Sequence, residues 1–303
     1  MANATVRLVI VGRKKEIHRS IVAFQDELLN NLGWFGSIDF FVHAANNDPA
    51  NLQSAANKAV ADAQAALTAP QAAPAAVVAG GVQATSCLQI AVQNSAGPTV
   101  PIIQAVGGAV PPNLQNYVTG FIINALATAE YHLDHVPSQS VTVLYDDTPG
   151  TPSLDVYNNL FAYNQAKPAP QRKAITPLPA RTPRALRTLD PTKLTTGFML
   201  IPNAMFYNHC DDIAAYVDGQ SVGGTPVSVF YPEREYKKAQ THTATVKVYG
   251  YNIPLTYRLA AQYVDKILDG ATVAQLGGFL DAVPDRDPGL PAAHAHRRDK
   301  AGG

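Results

Sequence analysis

Apolar residues in this chain take two patterns in turn. Short, nearly continuous runs at Val6–Val11, Ile38–Val42, Ala75–Ala79 and Val100–Ala105 have the length and bulk of buried parallel strands. Between them, apolar positions recur every three or four residues. Ile17, Ile21, Phe24 and Leu28 form one helical face, with Gly33 where a helix would close. Asp48-Pro49 supplies a cap and a first-turn proline for a helix through Leu52, Ala56, Val60, Ala63 and Leu67. A Pro/Ala linker precedes the third strand, and a third helix falls at about Thr85–Gln93. Strand and helix alternating in this way predict a parallel sheet with right-handed crossovers.

After Asn116–Phe121 the pattern restarts. A helix over Asn124–Leu133 leads to a strand at Val141–Tyr145, the pair Asp146-Asp147, and a helix over Leu154–Tyr163. The Pro-rich stretch around Ile175 carries no assigned element. A strand at Gly197–Ile201, a helix over Phe206–Val217 and strands at Pro226–Tyr231 and Thr245–Val248 follow. Leu255, Leu259, Tyr263, Ile267 and Leu268 then mark an amphipathic helix closed by Asp269-Gly270. From about Asp281 the chain is Pro, His, Arg and Gly without periodicity, which predicts a disordered tail. The expected fold is α/β, with two Rossmann-like lobes of parallel sheet joined by a hinge. Lobe one takes 1–119 plus 254–280, lobe two 122–248, and the tail 281–303. The links fall near Tyr117–Phe121 and Gly250–Ile253.

A length of 303 residues suits two domains, and a hydrophobic fraction of 47% is enough for two cores. With 23 basic and 23 acidic residues, nucleic acid and anionic membrane surfaces are excluded as main partners. The apolar stretch Ala72–Val92 is broken by Pro74, Gly80, Gly81 and Gln83, so no membrane insertion is expected. Arg13-Lys14-Lys15 follows the first apolar run, whereas a secretory leader has its charges first. A cytoplasmic location is the expectation. Cys87 and Cys210 are far apart and form neither a disulfide framework nor a metal spacing. Two reduced thiols, no metal and no cofactor are expected.

Two βα turns look alike, Val77–Gly81 in one half and Gly197–Asn203 in the other. A strand ending at a helix N-terminus presents free N–H groups and a positive dipole end, a cradle for an anion. Gly81, Val82 and Gln83 are the candidate carboxylate contacts. Gly107 would let a ligand approach the fourth strand closely. Arg13 could reach a carboxylate, Asp146 an amine, and Asn203 could donate or accept. Tyr251 offers a flat face for stacking. Each has a plainer reading: a glycine for the turn, Asp and Asn as helix caps, a tyrosine packing the hinge, and Arg13 in a solvated charge run.

The order of several segments along the chain adds a resemblance. Leu32-Gly33-Trp34, Ala45-Asn46-Asn47, Val78–Val82, Val100–Ile103, Val106-Gly107-Gly108 and Tyr117–Gly120 carry it in the first half. Val143–Tyr145, Ile201-Pro202-Asn203 and Gly250-Tyr251-Asn252 carry it in the second. Over about Val6 to Gly270 the chain resembles the ABC-transporter substrate-binding family with the type-1 periplasmic-binding-protein fold, in its tryptophan/tyrosine branch. It departs from that pattern at Ala109, where an acid is usual, and at Gln83, where a proline is usual. That family is normally exported, and no export signal is visible. The resemblance implies a non-enzyme that captures a small carboxylate-bearing ligand, an amino acid or related aromatic compound, in an interlobe cleft. An ABC permease would be its partner. Three alternatives stay open. They are a cytoplasmic sensor, a degenerate structural module of the same fold, and an Asp/Glu-racemase-like enzyme with one thiol per lobe. Cys87 and Cys210 lie about six or seven residues past their turns, against the last of these.

Overall fold

The computed structural model describes residues 3–12, 14, 17–46, 48–108, 117–149, 151–242 and 245–288. The chain begins with β1 (Ala4–Ile10), buried along its whole length, then α1 (His18–Gln25), which continues into a π-helical turn over Asp26–Asn31. β2 (Ile38–Ala44) and α2 (Pro49–Thr68) follow, and Asp48 caps α2 by accepting from the Ala50 N–H. Next come β3 (Ala75–Gly80), α3 (Val82–Asn94), β4 (Ile102–Gly107) and β5 (Val118–Ile122). The one charged side chain of β1, Arg7, is neutralised where it is buried. It meets Asp39 at 2.5 Å and Asp62 at 3.0 Å.

The second lobe opens with α4 (Ala125–His135), β6 (Ser140–Tyr145), α5 (Pro152–Ala166) and β7 (Ala174–Pro179). α6 (Pro183–Leu186), β8 (Gly197–Leu200), α7 (Ala204–Asn208) and α8 (Cys210–Val217) come next. A small hairpin of β9 (Ser221–Val222) and β10 (Thr225–Pro226) precedes β11 (Ser228–Tyr231), α9 (Arg234–Lys238) and β12 (Val246–Tyr251). The chain returns through α10 (Ile253–Leu268) and α11 (Val273–Leu276). It then adds β13 (Leu280–Asp281) and β14 (Pro284–Arg286).

The two large sheets have six strands each. Sheet one runs β13-β5-β4-β3-β1-β2, with every pair parallel. Sheet two runs β14-β12-β11-β8-β6-β7, parallel except for β14 on β12. Each is covered on both faces. α1 and α10 bury one face of sheet one, and α2 and α3 the other. α6, α8 and α9 lie over one face of sheet two, and α4 and α5 over the other.

Three sequence expectations need correction. The stretches expected as links are strands: β5 completes its run in sheet one and β12 in sheet two, so the crossings fall just after Ile122 and Tyr251. The expected helix over Phe206–Val217 is two helices broken at His209. The expected tail does not begin at Asp281, because 280–286 pairs with both sheets. Residues 289–303 of that tail lie outside the described residues, as does Arg13.

The chain therefore passes between the lobes three times, and the passages are laced together. Ala282 N–H donates to Ile122 O at 2.8 Å and Asn252 N–H to Val283 O at 2.7 Å. Asn124 N–H donates to the Tyr251 hydroxyl at 2.9 Å, and Val283 N–H to Thr256 Oγ1 at 3.1 Å.

Candidate functional site

Parallel strands deliver their following loops to one edge, so each sheet offers a carboxyl edge rich in loop residues and helix N-termini. In lobe one, β3 ends at Gly80 and Gly81 caps α3. Gly81 has φ +131°, a conformation open to glycine, and a Cβ there would meet nothing within 4 Å. Gly81 itself is buried, Val82 half-buried and Gln83 exposed, and the first-turn N–H groups of α3 have no helical acceptor of their own. Gly80 is glycine for a different reason. A Cβ there would lie 2.6 Å from the Tyr257 hydroxyl, which comes up from α10 beneath the end of β3.

Lobe two meets this edge through α7. Phe206 anchors α7 in the sheet-two core, while its neighbour Tyr207 packs against the sheet-one core. Tyr207 touches Ser20 of α1, and burial, then Glu235, push its hydroxyl pKa up, with Ser20 acting the other way. Ser20 Oγ is buried and has no well-formed hydrogen bond among the described residues. Just past the end of β11, Glu233 is 3% exposed, and its Oε2 has no hydrogen-bond partner among the described residues. Burial, and after it the charge of Glu235, hold its carboxyl pKa well above the usual range. The hydroxyls of Tyr257 and Tyr236 are also fully buried, without hydrogen-bond partners among the described residues, and Tyr236 stacks on Tyr231 at 4.9 Å. Buried polar groups are nearly always paired. Here both lobes bring orphaned ones to a single seam.

The expected site residues divide. Asp146 and Asn203 do come together at neighbouring strand ends, but they bond one another, Asn203 Nδ2 to Asp146 Oδ2 at 3.4 Å. Their remaining oxygens close local turns: Asp146 Oδ1 accepts from Thr148 N–H, and Asn203 Oδ1 caps α7 through Met205 N–H at 2.7 Å. The open approach expected at Gly107 is filled by the protein itself, since a Cβ there would lie 2.5 Å from the Gln104 carboxamide. That carboxamide accepts from Thr85 and donates to the Gly108 and Phe121 carbonyls. Tyr251 packs in the hinge, where its hydroxyl accepts from Asn124 N–H. Neither thiol is poised to react. Burial, then Asp211 and Glu235, raise Cys210 to about 12, and burial raises Cys87.

Sequence reasoning missed Ser20, Tyr207, Glu233 and Tyr257. Glu233 did carry a signal: like Asp146, it is an acid directly after a buried parallel strand. It stands at the head of Arg234-Glu235-Tyr236-Lys237-Lys238, which looks like a solvated charge run. A surface hollow of about 730 Å³, lined by Lys14, His43, Asn46 and Lys58 among others, lies along β2 and α2, away from this seam. Among the described residues no cluster of side chains could hold a metal ion, and no helix is long and apolar enough to cross a membrane.

No protein-family model and no curated protein matches the chain. Solved structures do. A conserved domain protein from Vibrio cholerae aligns with a TM-score of 0.68 at 14% identity, over 94% of this chain and 91% of that one. The ABC domain from Streptococcus pneumonia in complex with L-Trp gives 0.65 at 11% identity, over 93% and 90%. A carbohydrate transporter solute binding protein from Agrobacterium radiobacter, in complex with D-arabinose, gives 0.64 at 13% identity, over 95% of both chains. The chain has the two-lobed periplasmic-binding-protein fold. The tryptophan/tyrosine branch is not singled out, because a sugar-bound structure fits as well as a tryptophan-bound one.

Proposed function

We propose that this protein captures a small polar solute between its lobes and performs no chemistry on it. One observation carries the reading: Ser20 and Tyr257 of lobe one and Glu233 of lobe two, each with a buried oxygen that has no hydrogen-bond partner among the described residues, gather around the half-buried Tyr207 of lobe two, where the sheets' carboxyl edges meet. Rotation about the three laced passages would part this seam, admit a solute and close over it. The N-terminus of α3, with open space beside Gly81, suits a carboxylate on that solute, which supports an amino acid or a related aromatic acid as the ligand class. The inert thiols support binding over a two-thiol acid–base reaction. An ABC permease is the partner this reading implies.

Thermal-shift screening of amino acids, aromatic acids and simple sugars tests it. A ligand present at about 100 times its Kd adds about 2.7 kcal/mol of stability. For a carboxylate-bearing hit, Gly81→Val fills the open side of the α3 N-terminus and should weaken binding about ten-fold or more. That is the worth of one charge-assisted hydrogen bond of roughly 1.5–3 kcal/mol. Solution scattering should show a smaller radius of gyration with the hit bound. If no small solute raises the melting temperature, interlobe capture is wrong.

A further inference from the structure

We infer that Glu233 receives an ammonium group of the solute, so that the protein selects ammonium-bearing compounds over neutral polyols and simple acids. The inference rests on interlobe capture and names the chemistry of one pole of that site. An ionised carboxylate only accepts hydrogen bonds, so Oε2 needs a donor, and among the described residues it has none. Two of the protein's own cations nearby are committed to other acids. Arg234 is bonded to Asp285 at 2.6 Å and Lys237 to Asp287 at 2.9 Å, while Arg19 is exposed on α1. A sugar hydroxyl could bond the neutral carboxyl, but it brings no charge against which the carboxyl, beside Glu235, could ionise. An ammonium supplies donors and balances the charge. Tyr207 and Tyr236 lie within electrostatic reach of Glu233, and Tyr257 within reach of Tyr207. Burial holds the carboxyl toward its neutral form until a cation arrives, which lets the empty seam close without a bare charge inside.

Calorimetric titration of the intact protein with matched compounds tests this. Each L-amino acid is run beside its deaminated acid and its decarboxylated amine, with D-arabinose as a neutral polyol. For the skeleton that binds, losing the ammonium should weaken binding at least ten-fold, and Glu233→Gln should weaken the ammonium-bearing forms at least ten-fold. The glutamine variant should melt at or above the wild-type temperature at pH 7.5, since it removes a carboxyl whose ionisation opposes closure. Equal affinity for an amino acid and its deaminated acid in the wild-type protein overturns the inference whatever the variant does. So does full affinity in Glu233→Gln. Binding confined to D-arabinose overturns it and leaves interlobe capture standing. No binding by any compound removes both.

Discussion

His132 shows how one buried side chain ties this fold to pH. It is 0% exposed on α4, and its Nε2–H donates to the Tyr249 carbonyl at 2.6 Å, while Nδ1 has no partner. Burial, opposed by that carbonyl and aided by His135, lowers its pKa from 6.5 to about 4. The folded ring is therefore neutral where an unfolded one takes up a proton. Stability is full above pH 6.5 and falls as pH drops toward about 4, by roughly 3 kcal/mol in all. Urea unfolding across that range should show the slope, and His132→Gln should flatten it. Glu233 has the opposite sign. Its raised pKa makes folding weaken as pH rises above about 4.5, the usual glutamate value. His132 carried no sequence signal, and that of Glu233, an acid just past a strand, was masked by the charge run after it. Only the three-dimensional wrapping removes each from water.

Among the elements, legibility followed burial. β1, β3 and β8 are buried throughout, and their continuous apolar runs announced them to within a few residues. β7 went unseen because it is the outer strand of sheet two. Only Leu178 of its six residues is buried, and Pro177 and Pro179 are tolerated because its far edge needs no N–H. β14 and the second residue of β13 were read as tail since two or three residues show no periodicity, and their pairing is set by distant partners. α9 and β14 explain what anchors that segment. Asp287 is 5% exposed and accepts from Lys237 Nζ and from Val248 N–H at 3.0 Å. Burial would raise its pKa, but these bonds and Arg234 hold it below the usual range. Removing it strands the buried Val248 N–H, unpairs Lys237 and leaves Arg234 to Asp285. Asp287→Ala should cost about 3 kcal/mol in chemical denaturation, and a loss under 1 kcal/mol would show that the segment is not held there.

At the scale of the whole molecule, the repeat of strand and helix was enough to foresee two lobes, because parallel sheets demand that rhythm. It could not foresee the third passage between them. Lobe two is an insertion in lobe one, and the last described strand comes back to seal it. β14 lies antiparallel on β12, pairing Tyr249 with Arg286, Gly250 with Asp285 and Tyr251 with Pro284. Without β14, that margin of β12 would present unpaired N–H and C=O groups, a template on which another copy could add a strand. A chain ending at Ala282 should thus do more than lose stability. It should self-associate, with sedimentation velocity showing dimers and larger species at concentrations where the full chain sediments as a single smaller one. A truncated chain that sediments like the full one would mean the margin stays covered. In this light the short final strand acts as a guard on solubility, set on the strand that leads directly into the hinge.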